Sequence, residues 1–243
     1  MDSEKALLVI VPLLLGGAAR AETIVASKTF PRADIRAVSV TTENGFIELR
    51  GTASGDAKVE ALKPAGSKGH CRLVVDASGG KLSLQARRPD GGVDPCDAGF
   101  RVSFPRGSAV EAYSGSGAVT LEDARGESKI RTGAGNVRLD RVEAPLHVMT
   151  GGGDVSGEDP KLPWLDVRTG GGKVTLSLGA IRSTISVRTG SGAIALTLPR
   201  GAKARVKAES PGGGVRNEVP SAADAPASIE ALSGSGPVVV RTR

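Results

Sequence analysis

A ten-residue unit, Val167-Arg168-Thr169-Gly170-Gly171-Gly172-Lys173-Val174-Thr175-Leu176, recurs along the C-terminal half of this chain. Aligned on the first residue of the turn, the copies begin at Gly115, Gly133, Gly151, Gly170, Gly190, Pro211 and Gly234, between 18 and 23 residues apart. A short unit repeated at a period near 20 cannot bury its own apolar face alone, so each copy has to pack on the next. That requirement restricts the fold more than any other feature.

Both flanks of the turn alternate. Two positions before the Ser or Thr that precedes each turn stand Ala112, Ile130, Val148, Val167, Val187, Ala208 and Ala231. After the turn come Val119, Val137, Val155, Val174, Ile194, Val215 and Val238, and two further on Leu121, Leu139, Gly157, Leu176, Leu196, Asn217 and Val240. A period of two is the signature of strands. Strands joined by glycine turns could be hairpins of an antiparallel sandwich. Alternatively, each period is one coil of a solenoid whose equivalent strands stack in parallel, about 4.8 Å apart. Identical residue types at equivalent positions favour the solenoid, because in-register stacking then lays Val on Val and Leu on Leu. The expected fold is all-β: a single elongated parallel β-solenoid, right-handed as parallel crossovers are, with coils of about 20 residues. Glycine is expected at the corners for positive φ and because a Cβ would crowd the corner stacked above. The preceding Ser or Thr is expected to bond nearby backbone and to form a hydroxyl ladder.

Residues 1–21 read as a signal peptide: a short apolar run from Ala6, then Ala19-Arg20-Ala21 as the cleavage site. Residues 22–110 form irregular first coils and a cap, and residues 111–243 the regular coils of the same solenoid. In the first part, Val40 to Leu49 and Val75 to Leu84 match the coil pattern, with Asn44-Gly45 and Gly79-Gly80 at their corners. Residues 22–38 would cover the first open edge, which otherwise invites pairing. The chain stops at Val238 to Arg243, inside a strand, so the last coil is expected to be uncapped. Composition agrees with thin coils of small aliphatic residues: 34 Gly but one Trp, one Tyr and four Phe. Two cysteines, Cys71 and Cys96, are expected to form a disulfide in an oxidising compartment, worth about 3 kcal/mol in the chain-entropy account.

The recurring S/T-G-x-G-x-V-x-L units, preceded by Asn44-Gly45-Phe46-Ile47-Glu48-Leu49, resemble the DUF4097 family of bacterial exported or envelope proteins, often labelled adhesins. The resemblance covers residues 35 to 243. It implies a β-solenoid-like fold without a known catalytic site.

Other chemistry fits poorly. Gly151-Gly152-Gly153-Asp154-Val155 has the look of a calcium-binding nonapeptide, but the position of Asp154 is Asn136, Lys173 or Ala193 in neighbouring coils. Gly170-Gly171-Gly172-Lys173 is followed by Val174, where a phosphate loop needs Ser or Thr. No metal or cofactor is expected. Acids at the corner opposite the glycines (Glu122, Asp123, Asp140, Glu143, Glu158 and Asp159) read as a solvated loop rather than as a glycosidase pair.

The strongest candidate surface is the outward position just before the Ser or Thr, where Arg168 and Arg188 would be stacked neighbours. Like charges directly opposite repel unless an anion bridges them. Arg131 lies in the same ladder, and Arg138 and Lys173 beyond the turn would extend the patch. The sequence therefore points to a non-enzymatic, exported protein, periplasmic or on the cell surface. It would serve as an envelope scaffold or as an adhesion and binding module for an anionic polymer or another surface protein, and not for nucleic acid. A structural protein polymerising through its uncapped C-terminal coil is the alternative, and a polysaccharide-active enzyme a third reading.

Overall fold

A computed structural model describes residues 22–65, 67, 69–90, 92, 94–220, 225 and 227–243, with backbone alone at Arg182 and Ser183. The expected signal peptide lies outside the described residues. In chain order the strands are β1 (Glu22–Phe30), β2 (Ala37–Thr42), β3 (Ile47–Thr52), β4 (Ala57–Pro64), β5 (Arg72–Ser78), β6 (Lys81–Arg87) and β7 (Gly99–Pro105). The regular coils follow with β8 (Ala109–Ser114), β9 (Val119–Glu122), β10 (Ser128–Thr132), β11 (Val137–Asp140), β12 (Leu146–Thr150), β13 (Val155–Glu158), β14 (Lys161–Thr169) and β15 (Val174–Ser177). The last six are β16 (Ala180–Thr189), β17 (Ile194–Leu198), β18 (Ala204–Glu209), β19 (Val215–Asn217), β20 (Ala227–Ser233) and β21 (Val238–Thr242).

Two sheets face each other across one core. The first has eleven strands in the order β1-β4-β7-β3-β9-β11-β13-β15-β17-β21-β19, and the second ten, β18-β20-β16-β14-β12-β10-β8-β2-β6-β5. Each regular coil contributes one strand to each sheet, in parallel register. Val148 sits on Ile130 and Val167, and Val155 on Val137 and Val174. These are the apolar ladders the period implies, and they are fully buried. Gly157 leaves no hole in its ladder, because Cδ2 of Leu176 in the next coil reaches the space a side chain would fill.

The glycine corners work differently from the expectation in one respect. Among the described residues the glycines at positive φ are Gly55, Gly79, Gly80 and Gly201, none of them at a repeated coil corner. Close approach alone selects glycine there. A Cβ on Gly135, Gly153, Gly172 or Gly192 would overlap the carbonyl oxygen of the equivalent glycine one coil earlier. The hydroxyl before the turn locks this approach. Thr169 Oγ1 accepts from Gly172 N at 3.0 Å within its own corner and donates to Gly153 O at 3.2 Å in the preceding one. Thr132, Thr150, Thr189 and Ser233 repeat both bonds. The ladder is thus hydroxyl to backbone, not hydroxyl to hydroxyl. At about 1 kcal/mol net per bond, the contribution accumulates along the stack.

Coil order in space departs from coil order in sequence at both ends. The β2–β3 coil lies between the β6 and β7 strands and the β8–β9 coil. Likewise β20–β21 is inserted between β16–β17 and β18–β19. The expected uncapped edge at Val238 to Arg243 is therefore corrected: β21 is paired on both sides. The true C-terminal edge is β18 and the three-residue β19, whose Arg205, Lys207, Glu209 and Arg216 blunt it against end-to-end pairing.

A second correction concerns Val75 to Leu84. β5 and β6 form an antiparallel hairpin within one sheet, not a coil between two. Its two-residue turn, Gly79-Gly80, has φ of 58° and 83°, the geometry of a tight hairpin. On the other sheet β1 covers the open side, pairing antiparallel with β4, which pairs antiparallel with β7. The disulfide Cys71–Cys96 forms as expected, with its Cα atoms 5.2 Å apart.

These corners predict a sharp contrast between adjacent glycines. A Cβ on Gly171 would meet only Ser191 Oγ, at 3.6 Å, whereas one on Gly172 would meet backbone that cannot move away. Gly172→Ala should cost roughly 3 kcal/mol or more, and Gly171→Ala less than about 1 kcal/mol, read from urea midpoints. Equal effects would mean that corner spacing does not select glycine.

Candidate functional site

The outward side of the second sheet carries one continuous row of side chains, one from each strand. It runs Val74, Gln85, Thr41, Tyr113, Arg131, Met149, Arg168, Arg188, Leu232, Glu209, each directly opposite the next. At a strand spacing of about 4.8 Å the row is about 43 Å long. Tyr113 is 49% exposed and Met149 37%, large apolar groups standing in solvent on either side of Arg131. Trp164, 40% exposed, stacks parallel on His147 in the neighbouring rows, with ring centroids 6.5 Å apart. Aromatic residues, Met and Arg are the types that dominate recognition surfaces.

Arg168 and Arg188 are stacked neighbours as expected, but their repulsion is relieved within the protein. Asp166, two residues before Arg168 and so on the same side of β14, lies 3.1 Å from Arg168 Nε and 3.0 Å from His147 Nδ1. Arg188 pairs with Glu230 of the adjacent strand. Neither pair therefore requires an external anion. Asp166 and Glu230 do not show in a single ladder of equivalent positions, because they stand one row away. The Asp-x-Arg spacing of a strand, with both residues on one side, is the sequence signal for the first of them. Arg131 differs: among the described residues it has no ion pair or hydrogen bond. Arg138 lies on the outward side of the first sheet, with its Nε 2.9 Å from Asp140, and Lys173 lies at the glycine corner. The five expected basic residues thus do not form one patch. The structure brings together Arg131, Arg168 and Arg188 only.

The Toastrack DUF4097 family model matches residues 29–241. This chain belongs to the DUF4097 family. No protein of curated function matches it in sequence. A "putative cell adhesion protein" of Clostridium sporogenes ATCC 15579 is similar at 13% identity, with a TM-score of 0.40, covering 92% of this chain and 99% of that one. A "putative adhesin" of Bacteroides fragilis NCTC 9343 is similar at 12% identity and a TM-score of 0.42, covering 93% and 98%.

The return corner of this DUF4097 chain, opposite the glycines, holds the acids singled out in the sequence. They are not a simple solvated loop. Asp123, Arg141 and Asp159 stack in one column, Arg125, Glu143 and Lys161 in the next, so charge alternates along the coils and across them. Arg141 donates two hydrogen bonds to Asp123, at 2.8 and 3.0 Å, and Arg125 Nε lies 3.0 Å from Glu143. Asp123, Arg141 and Asp159 all adopt positive φ, near 50°, to make this turn. The basic members, Arg125, Arg141 and Lys161, alternate with the acids at the same corner positions of successive coils, a pattern that a reading of carboxylates alone does not contain. Committed to these pairs, the carboxylates stabilise the corner rather than face a substrate. Among the described residues no helix is long and apolar enough to cross a membrane.

The Arg141 hydrogen bond holds the Asp123 carboxyl below its ordinary range, and the charges of Arg141, Arg50 and Arg106 act the same way. A folded-state value below the unfolded one gives stability that is present above the unfolded pKa, near 3.9, and is lost as pH falls through the folded value. Asp123→Asn, which tolerates the same positive φ, should lower stability at pH 7 by up to about 1 kcal/mol. The difference from the parent should vanish below about pH 2.5. Urea titrations from pH 7 to 2 check it, and a difference that persists at pH 2 would show that the carboxylate charge is not the cause.

Proposed function

We propose that this DUF4097 protein is a non-enzymatic, exported binding module of the cell envelope. Its outward second-sheet row engages a polymer that carries carboxylate or phosphate groups. The observation that carries this reading is Arg131: an arginine without a partner among the described residues, between exposed Tyr113 and Met149, in the middle of a straight row. A flat row of amphipathic anchors with one uncommitted guanidinium suits an extended anionic chain, since the anchors supply contact area and the guanidinium supplies charge selection. Arg168 and Arg188 add positive potential that their carboxylate partners reduce but leave accessible on the same side. The disulfide supports an oxidising compartment and therefore export. Because the C-terminal edge is short and charged, the binding reading stands ahead of end-to-end polymerisation.

Fluorescein-labelled polygalacturonate, followed by anisotropy in about 0.15 M salt, tests the proposal. The parent protein should bind it and should not bind labelled dextran. Arg131→Glu should weaken binding at least about tenfold with unchanged circular dichroism, and Arg138→Glu, on the other sheet, should have little effect. Equal binding by parent and Arg131→Glu would overturn the assignment of this row.

A further inference from the structure

At its N-terminal end the row runs into a hollow. The segment between β6 and β7 rises beside the flat sheet and leaves a cavity of about 400 Å³, within the size range of small-molecule sites. Thr41, Glu43, Gln85, Arg87, Arg88 and Tyr113 line it. Elsewhere along the described row the sheet is flat, because successive coils are nearly equivalent. Here an irregular excursion supplies a wall.

The wall is fixed at both ends. Glu43, at the first Asn-Gly corner, accepts from Arg88 N at 3.0 Å and from Cys96 N at 3.2 Å, so one carboxylate ties down both ends of the excursion. Asn44 N donates to Cys96 O at 3.2 Å, and Cys96 is bonded to Cys71. The backbone N–H of Arg88 keeps the Glu43 carboxyl below its usual range. With both oxygens occupied and the Arg88 guanidinium beside it at 3.6 Å, this carboxylate repels an entering anion far less than a bare one would.

The rim of the hollow asks for an anion. Arg87 and Arg72 stand directly opposite each other on β6 and β5, outward on the same side. Among the described residues neither has a carboxylate partner. Opposed like charges destabilise a sheet pair, and an external carboxylate relieves that repulsion. Arg168 and Arg188 meet the same problem with Asp166 and Glu230, but no acid among the described residues takes that part here. Across the hollow, Tyr113 presents an exposed ring, and Gln85 and Thr41 offer amide and hydroxyl groups between the ring and the arginine. An aromatic face, neutral hydrogen-bonding groups and a guanidinium in this order match a pyranose bearing a carboxylate.

We propose that this hollow is a subsite for one acidic sugar residue, a uronate, whose ring lies on Tyr113, whose hydroxyls bond Gln85 and Thr41, and whose carboxylate bonds Arg87. This rests on the reading of the row as an anionic-polymer surface and adds the chemical class of its unit. The subsite would fix where on the polymer the protein begins, and the flat row would then take the units that follow.

The test is a titration of ¹⁵N-labelled residues 22–243 with trigalacturonate, followed by amide shifts, beside the polygalacturonate measurement. Shifts should concentrate at Gln85, Arg87 and Tyr113. Arg87→Gln should weaken the trimer at least about tenfold, and the fully methyl-esterified trimer should not bind. Tyr113→Ala, at an exposed position that leaves the fold intact, should weaken it as well. If the polymer binds but the trimer shifts nothing, or shifts only the Arg131 to Arg168 region and ignores Arg87→Gln, the subsite is wrong and the row survives. Equal affinity for the esterified trimer would overturn the carboxylate assignment. If neither polymer nor trimer binds, the row itself falls and the subsite with it.

Discussion

The architecture depends on how closely one glycine corner approaches the next. Each coil crosses from sheet to sheet through a turn whose carbonyl points at the Cα of the equivalent glycine above. No side chain fits between them. That spacing sets the rise per coil, and the rise keeps the parallel strands of both sheets in hydrogen-bonding register on either side of the corner. The buried Ser or Thr hydroxyl makes the approach favourable as well as tolerable, because it satisfies one N–H in its own coil and one carbonyl in the coil before. A valine of the same shape would leave both groups unpaired in a buried place, at about 1–3 kcal/mol each. The conspicuous glycine content thus reflects proximity between coils rather than flexibility within them.

The ends of such a stack are its weak points, since a terminal coil packs on one side only. This chain handles both ends in the same way, by moving the coil nearest each terminus one place inward. The β2–β3 coil and the β20–β21 coil are each held by neighbours on both sides, and the end positions go to segments joined to the chain at both their ends. Fraying of the C-terminal strand is then opposed by ladders on both of its edges. The exposed coil, β18–β19, cannot peel away without pulling on β17 and β20. At the opposite end, the antiparallel strands β1 and β4 on one sheet and β5 on the other replace the parallel pattern, so a further parallel coil meets a different ladder geometry.

Much of this is legible in the sequence and some is not, for identifiable reasons. The two inward ladders and the glycine corner are written in every copy, so Val148 over Ile130 or Val174 over Val155 follows from alignment alone. The inward shift of the end coils is not written anywhere locally. Val238 to Val240 would fit the ladder equally well above or below Val215 to Asn217, and only the length and path of the connections decide. The Gly79-Gly80 hairpin looks like a coil corner because both begin with Ser followed by Gly. The distinction lies in the intervening residue: coil corners read Gly-x-Gly or Asn-Gly, while two adjacent glycines at positive φ close a hairpin. The arginine row is legible as a ladder, yet its electrostatics are not, because Asp166 and Glu230 reach it from a neighbouring row.

The same division explains where function can reside. Inward positions are fixed by the core, corner glycines by proximity and corner hydroxyls by their paired bonds, and the return corner by alternating charge. What remains free to vary from coil to coil is the outward set of each sheet. On the first sheet that set is short polar and charged residues such as Thr120, Arg138, Ser156 and Thr175. On the second it includes Tyr113, Met149 and Trp164, three large side chains whose apolar surface gains nothing from water and which no internal contact requires to be outward. Their exposure carries a free-energy cost that folding alone does not explain. Contact with a partner along the second sheet removes it. The location of that cost, beside an arginine without a counter-charge among the described residues and next to the hollow at the end of the row, is why recognition is placed there and not on the more uniformly polar first sheet.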